Sequence, residues 1–183
     1  MARNQERPAA EPPRPLAPRD AERFAAAVLP HLDAAFDLAR HLMRSDADAE
    51  DAVQDACLRA LRYFAGFRGG DGRAWLLSIV RNTCFTLLRR RGGVTTTEFD
   101  EEIHGAPEGD PAPETDLARR ATAAALQAAL EELPLVFREV VVLRELEELS
   151  YKEIAQVTGA PIGTVMSRLA RPKCDRTRRA IRT

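Results

Sequence analysis

The sequence predicts an all-α protein of two small helical domains joined by a flexible acidic linker. Three observations predict it. Apolar residues recur at three- and four-residue spacing through most of the 183 residues. No stretch alternates apolar and polar side chains as a half-buried strand would. The helical pattern stops between Gly92 and Asp116, where glycine, proline, threonine and acids take over.

Residues 1–20, MARNQERPAAEPPRPLAPRD, are polar and proline-rich, which predicts a disordered tail. They hold no apolar run suited to a signal peptide or membrane span, so a cytoplasmic protein without membrane insertion is expected. A first helix fits Ala21 to Arg44, with Pro30 inside it as a kink or a restart. A second begins at a cap from Ser45 or Asp46 and turns Val53, Ala56, Cys57, Ala60, Leu61 and Phe64 inward. Its other face is acidic: Asp48, Asp51 and Asp55 line up, with Gln54 beside them. After the loop GFRGGDG, Asp71 caps a third helix with a core stripe of Leu76, Ile79, Val80, Thr83 and Leu87, ending in Arg89, Arg90 and Arg91. Residues 21–91 therefore read as one compact three-helix domain.

Residues 92–116 carry eight acids and no Lys or Arg, a linker that like charges extend. Residues 117–183 form the second domain. Its periodicity resumes with Leu117, Ala121, Leu126, Ala129, Leu130 and Leu133, and Pro134 restarts a helix carrying Phe137, Val140, Val141 and Leu143. Ser150 and Glu153 then make an S-x-x-E capping box for the next helix.

The formal net charge of −1 conceals opposed segments. Residues 150–183 hold eight bases against Glu153 and Asp175, and residues 68–91 hold six arginines against Asp71. Two basic patches flanking an acidic spacer point to nucleic acid as a partner. The cysteines, Cys57, Cys84 and Cys174, are widely spaced with no CxxC pair or adjacent histidine, which argues against a metal site and for buried thiols at Cys57 and Cys84. Cys174 is read as exposed in a basic tail, a hint of redox sensitivity. His31, His41 and His104 are scattered, and neither a nucleophile–base pair nor a phosphate-cradling glycine loop is present, so neither enzyme activity nor a cofactor is expected.

The segment SYKEIAQVTGAPIGTVMSRLAR, residues 150–171, reads as a helix-turn-helix. Ala155 supplies the small residue where two helices cross and Gly159 the turn. Val165, with Ile154 and Leu169, closes a small core, leaving Thr164, Ser167, Arg168 and Arg171 as the expected outward face. Hydroxyls and guanidiniums there suit phosphate contact and base reading in a major groove. A plain helical hairpin has the same apolar spacing; the adjoining basic segment favours the DNA-binding reading.

LPLVFREVVVLRELEELSYKEIAQVTGAPIGTVMSRLAR strongly resembles region 4 of the extracytoplasmic-function (ECF) sigma factors, in the sigma-70 family of RNA polymerase subunits. RSDADAEDAVQDACLRALRYFAGFRGGDGRAWLLSIVRNTCFTLLRRR resembles their region 2, in the same order along the chain. The resemblance implies a non-enzymatic initiation factor that binds core RNA polymerase and promoter DNA, together with a cognate anti-sigma factor. It places Asp48, Asp51, Gln54 and Asp55 on the clamp of the β′ subunit, with β as the other polymerase contact. It places Phe64, Phe67, Arg68, Trp75, Arg81, Asn82 and Arg89 at the melted minus-ten element, and Thr164, Ser167, Arg168 and Arg171 at minus thirty-five. Bland readings stand beside these: solvated acids near a helix start, a core tryptophan, and arginines favoured at a helix end. Two departures from the family pattern are Thr86, after the Arg81–Asn82 pair, and Pro172, which stops or kinks the recognition helix near Ala170. The alternative reading is a two-domain helix-turn-helix regulator that acts without being a polymerase subunit.

Overall fold

The computed structural model describes residues 17–92 and 126–171, together with 174, 177, 178 and 181. The disordered-tail reading of residues 1–16 and nearly all of the expected linker lie outside these residues. Among the described residues all regular structure is helical.

Helix α1 runs Pro18–Val28 and α2 Leu32–Met43, with a single 3-10 turn, Leu29–His31, between them. Pro30 therefore restarts the expected long helix, because it lacks the N–H a continuous helix needs. Arg44 ends α2 in the left-handed conformation, φ 60°. Helix α3, Asp46–Tyr63, starts at Ser45, whose hydroxyl accepts from the Asp48 N–H at 3.3 Å. Its most buried residues are the alanines Ala49, Ala52, Ala56 and Ala60, all at 0% exposure, with Val53 only partly covered. Small side chains let α3 approach α2 and α4 closely.

Helix α4, Gly72–Arg90, is capped by the Asp71 carboxylate, which accepts from the N–H groups of Arg73 (2.9 Å) and Ala74 (3.2 Å). Gly72 is required by packing: a Cβ there would lie 2.5 Å from the Ala27 carbonyl oxygen. The helix buries more than one stripe, since Leu77, Cys84 and Phe85 are covered along with Leu76, Val80 and Thr83. The second half of the chain also packs on α4 and α2.

That second half comprises helical residues 126–131, then α5 (Leu135–Val141), continued by a π turn (Val142–Leu146), then α6 (Tyr151–Thr158) and α7 (Ile162–Leu169). The π turn ends with the Glu147 N–H donating to Val142 O at 3.0 Å, and Glu148 follows at φ 53°. The core runs without a break from Leu38, Leu42, Leu76 and Val80 in the first half to Leu130, Val140, Ile154, Val165 and Leu169 in the second.

Candidate nucleic-acid and polymerase interface

Helices α6 and α7 form the helix-turn-helix. Ser150 Oγ accepts from the Glu153 N–H at 3.3 Å while the Glu153 carboxylate accepts from the Ser150 N–H at 2.7 Å, fixing where α6 begins. Gly159 ends α6 at φ 68°, a conformation that disfavours a side chain. Ile154, Val157, Val165 and Leu169 make the shared core. Helix α7 ends at Leu169, and its cap, Ala170, is where the approach of Pro172 leads one to expect the end.

The outward face of α7 differs from the expected one. Arg168 turns inward, where its Nη1 donates to Oε1 of Glu139 at 3.2 Å with only 12% of the side chain exposed. Glu139 on α5 is fully buried, and a buried carboxylate short of cations is costly, which favours the inward orientation of Arg168. Thr164 is half-buried, while Ser167 and Arg171 are exposed. Ile162 and Met166 complete the exposed surface.

At the loop before α4, four aromatic rings assemble. Phe64 packs edge-on against Phe24 (5.3 Å between centroids) and near Trp75 (6.1 Å), and Phe67 lies 4.8 Å from Trp75. Phe64, at 2% exposure, is a core residue of this cluster and offers no open face for a base. Phe67 and Trp75 are half-buried, and Arg68 beside them is exposed. Further along α4, Asn82 and Arg89 are exposed. Arg81 is not. Its Nε and Nη2 donate to the two oxygens of Glu139 at 2.8 and 3.3 Å, and its guanidinium sits 3.9 Å above the Phe85 ring.

The acidic face of α3 stands apart from both. Asp51 and Gln54 are exposed. Asp55 accepts from Arg59 at 2.9 Å, one turn on. Asp48 receives the Arg91 guanidinium in a fork, at 2.5 and 2.7 Å, so the start of α3 and the end of α4 are tied. That fork holds the Asp48 carboxyl below its usual range.

The halves are joined by buried polar groups. Glu139, at 0% exposure, is shared by Arg81 and Arg168; burial pushes its carboxyl above the ordinary carboxylate range and the arginines pull against that. Arg73 of α4 donates to Glu147 at 2.5 Å, and burial likewise raises the Glu147 carboxyl. Arg138, 3% exposed, donates to four backbone carbonyls: Leu130 (2.9 Å), Leu133 (2.8 Å), Glu131 (3.2 Å) and, across the interface, His41 (3.1 Å). Arg44 also donates to the Glu131 carbonyl. Burial, with Arg44 nearby, brings Arg138 down to about 10, which leaves it charged at neutral pH. Among the described residues no cluster of ligands could hold a metal, and no helix is long and apolar enough to cross a membrane.

Two family models match: Sigma-70 region 2 over residues 27–94 and Sigma-70 region 4 over residues 123–172. The ECF RNA polymerase sigma-E factor of Escherichia coli K12 is 34% identical over 134 residues, covering 69% of this chain and 70% of the relative. The chain belongs to the ECF sigma factors of the sigma-70 family. It is also 38% identical over 141 residues to the ECF sigma factor SigE of Mycolicibacterium smegmatis, a match spanning 77% of this sigma chain but 55% of that longer relative. Its fold is similar to the sigma factor RpoE in a co-crystal with the anti-sigma factor NepR from Bartonella quintana, with TM-score 0.65, 27% identity, and coverage of 88% of this chain and 98% of that one.

In this sigma chain, sequence patterning singles out neither Glu139 nor Arg138, the two groups on which most contacts converge. The signal for them is the pair Arg138–Glu139 set inside the apolar run FREVVVL, where a charged residue has to find a buried partner. Cys174 departs from the exposed placement: it is 1% exposed, and burial pushes its thiol up to about 11.

Proposed function

We propose that this chain is the promoter-recognition subunit of a bacterial RNA polymerase, binding core enzyme and directing initiation at minus-thirty-five and minus-ten elements. The observation that carries the reading is the succession, in one chain, of the region 2 and region 4 matches. On this reading the expected boundary at residue 21 moves back to the start of α1 at Pro18, so that residues 18–91 bind polymerase and the minus-ten element, residues 92–116 link, and residues 117–183 bind minus thirty-five.

Asp48, Asp51, Gln54 and Asp55 dock on the polymerase clamp, a role supported by their position on a charged face remote from the inter-half contact. Phe67, Arg68, Trp75, Asn82 and Arg89 offer rings and cations to unpaired bases, the combination single strands favour. Arg81 joins them only when it leaves Glu139. Ser167 and Arg171 face the upstream element with Thr164 at their edge, while Arg168 positions α7 from inside. The chain performs no catalysis; nucleotidyl transfer belongs to the polymerase, so the factor works in the cytoplasm. An anti-sigma factor is a further expected partner, supported by the likeness to a factor crystallised with one.

Run-off transcription with purified core polymerase tests the proposal. Core plus this chain gives discrete transcripts from host promoter DNA, and core alone gives none. A chain that binds the same DNA but yields no transcript with core is a regulator acting outside the polymerase.

A further inference from the structure

With Arg168 turned in toward Glu139, the outward face of α7 is unusual for a DNA-reading helix. Ile162 and Met166 lie one turn apart and are 46% and 51% exposed. Gly163, Ser167 and Ala170 fill the rest of this face, and all three are exposed. A Cβ placed on Gly163 would meet nothing within 4 Å, so the helix surface there is open. No acid occurs between Ile162 and Arg171.

We propose that this face reads thymine through its 5-methyl group, with Met166 and Ile162 as the contacting side chains. The inference rests on the proposed function and adds the chemical class of base that α7 selects. The thymine methyl is the apolar group that base pairs present in the major groove, where it accepts apolar contact from a reading helix. The small side chains of Gly163, Ser167 and Ala170 let the base edges come close, and the flexible Met166 thioether adapts to where a methyl lies. Charge complementarity favours DNA over a protein groove as the occupant. Exposed Arg171 at the end of the same helix and exposed Lys152 on α6 add positive charge suited to phosphate contact.

The test uses full-length chain assembled with bacterial core polymerase, and DNA that this holoenzyme selects from a random library. Each thymine of the upstream element is replaced singly by deoxyuridine, which removes the methyl and leaves every hydrogen-bonding group. Wild-type holoenzyme should lose about fourfold in affinity at one or two positions, the effect of one buried methyl. Met166→Ala or Ile162→Ala should bind thymine and uracil DNA alike at the matching position. Met166 is exposed, so its replacement does not threaten folding, and Met166→Gln, which keeps length but adds polarity, should also lose the discrimination. Equal wild-type affinity for thymine and uracil at every position overturns the inference. So does a methyl effect that persists undiminished in both alanine variants, or a Met166→Ala defect confined to polymerase assembly, which would make the face a protein contact. A library that yields no preferred sequence at all refutes the proposed function instead.

Discussion

Arg81 Nε lies 2.8 Å from Oε2 of Glu139, although 58 residues separate them in the chain. The pair joins α4 to α5, and Arg168 of α7 reaches the other oxygen of the same carboxylate. One buried acid thus holds an arginine from each half. The sharing sets up a competition, because the Nε and Nη2 donors are committed to Glu139 and Nη1 donates to Asn82 Oδ1 at 3.3 Å. In this arrangement Arg81 is engaged within the protein, and the minus-ten role proposed for it would require the fork on Glu139 to open.

Removing the shared charge tests how much the arrangement depends on it. Glu139→Gln leaves two arginines facing a neutral amide in a buried site and is expected to lower unfolding free energy by about 3 kcal/mol. Arg81→Ala should cost less, since Arg168 still neutralises the carboxylate. Urea unfolding of both variants decides it. Equal or reversed costs mean that Arg168 contributes little and that the inter-half fork carries the site.

Arg138 offers an independent measure of the contact between halves. Its truncation strands carbonyls of Leu130, Leu133, Glu131 and His41, and leaving buried acceptors unpaired costs about 1 to 3 kcal/mol apiece where water cannot replace the donor. Arg138→Ala should destabilise by about 3 kcal/mol, with water relieving part of the sum. Its unfolding should also be broader than that of wild type, or split in two, because the His41 link to α2 is lost. Arg138→Lys recovers only part, since an ammonium cannot span four carbonyls arranged for a fork. A single sharp transition in Arg138→Ala would show that the apolar contact alone couples the halves.

The helical elements were legible because local physics decides them. Ser45, Asp71 and the Ser150–Glu153 box are caps whose chemistry works within four residues, and Gly159 marks a turn that needs positive φ. Pro30 announced a break, and only its form, a 3-10 turn, needed the structure. What pattern could not show depends on contact between distant segments. Helix α4 looked one-sided, yet Leu77, Cys84 and Phe85 are buried too, on a helix that packs against α6 of the second half as well as α2 and α3. Arg168 looked outward by spacing from Gly159, but spacing carries no information about a buried acid on α5. Phe64 read as a core residue by periodicity and as a minus-ten contact by resemblance, and the three rings around it favour the first.

The cysteines yield a chemical prediction. Burial raises the thiol of Cys84 to about 12 and that of Cys174 to about 11, against an ordinary 9.0, and Cys57 shifts the same way. Raised values keep thiols neutral, so at pH 8 the reactive thiolate is scarcer in the native chain than in the unfolded one. Iodoacetamide at pH 8 should therefore modify Cys84 and Cys174 slowly until urea is added, with half-buried Cys57 faster than either. Rapid native labelling of Cys174 would restore it as a redox-responsive thiol.

The acidic face of α3 gives the sharpest test of polymerase docking. Asp51 is exposed, and the Asp55 pair with Arg59 is a surface contact one helical turn apart, worth about 0.3 to 0.5 kcal/mol. Reversing both charges therefore costs little stability, because the core of α3 is formed by Ala49, Ala52, Ala56 and Ala60 on its other side. Circular dichroism of Asp51→Arg with Asp55→Arg should match wild type. Affinity for core polymerase should fall at least about tenfold at low salt if these carboxylates meet basic groups on the clamp, since charge reversal replaces attraction by repulsion. The deficit should narrow as salt rises, for the Debye length shrinks from about 30 Å at 0.01 M to about 10 Å at 0.1 M. DNA binding by α6 and α7 does not pass through α3, so upstream-element affinity serves as the internal control. Unchanged affinity for core at low salt would remove Asp51 and Asp55 from the docking surface and leave them as solvated acids on the first turns of a helix.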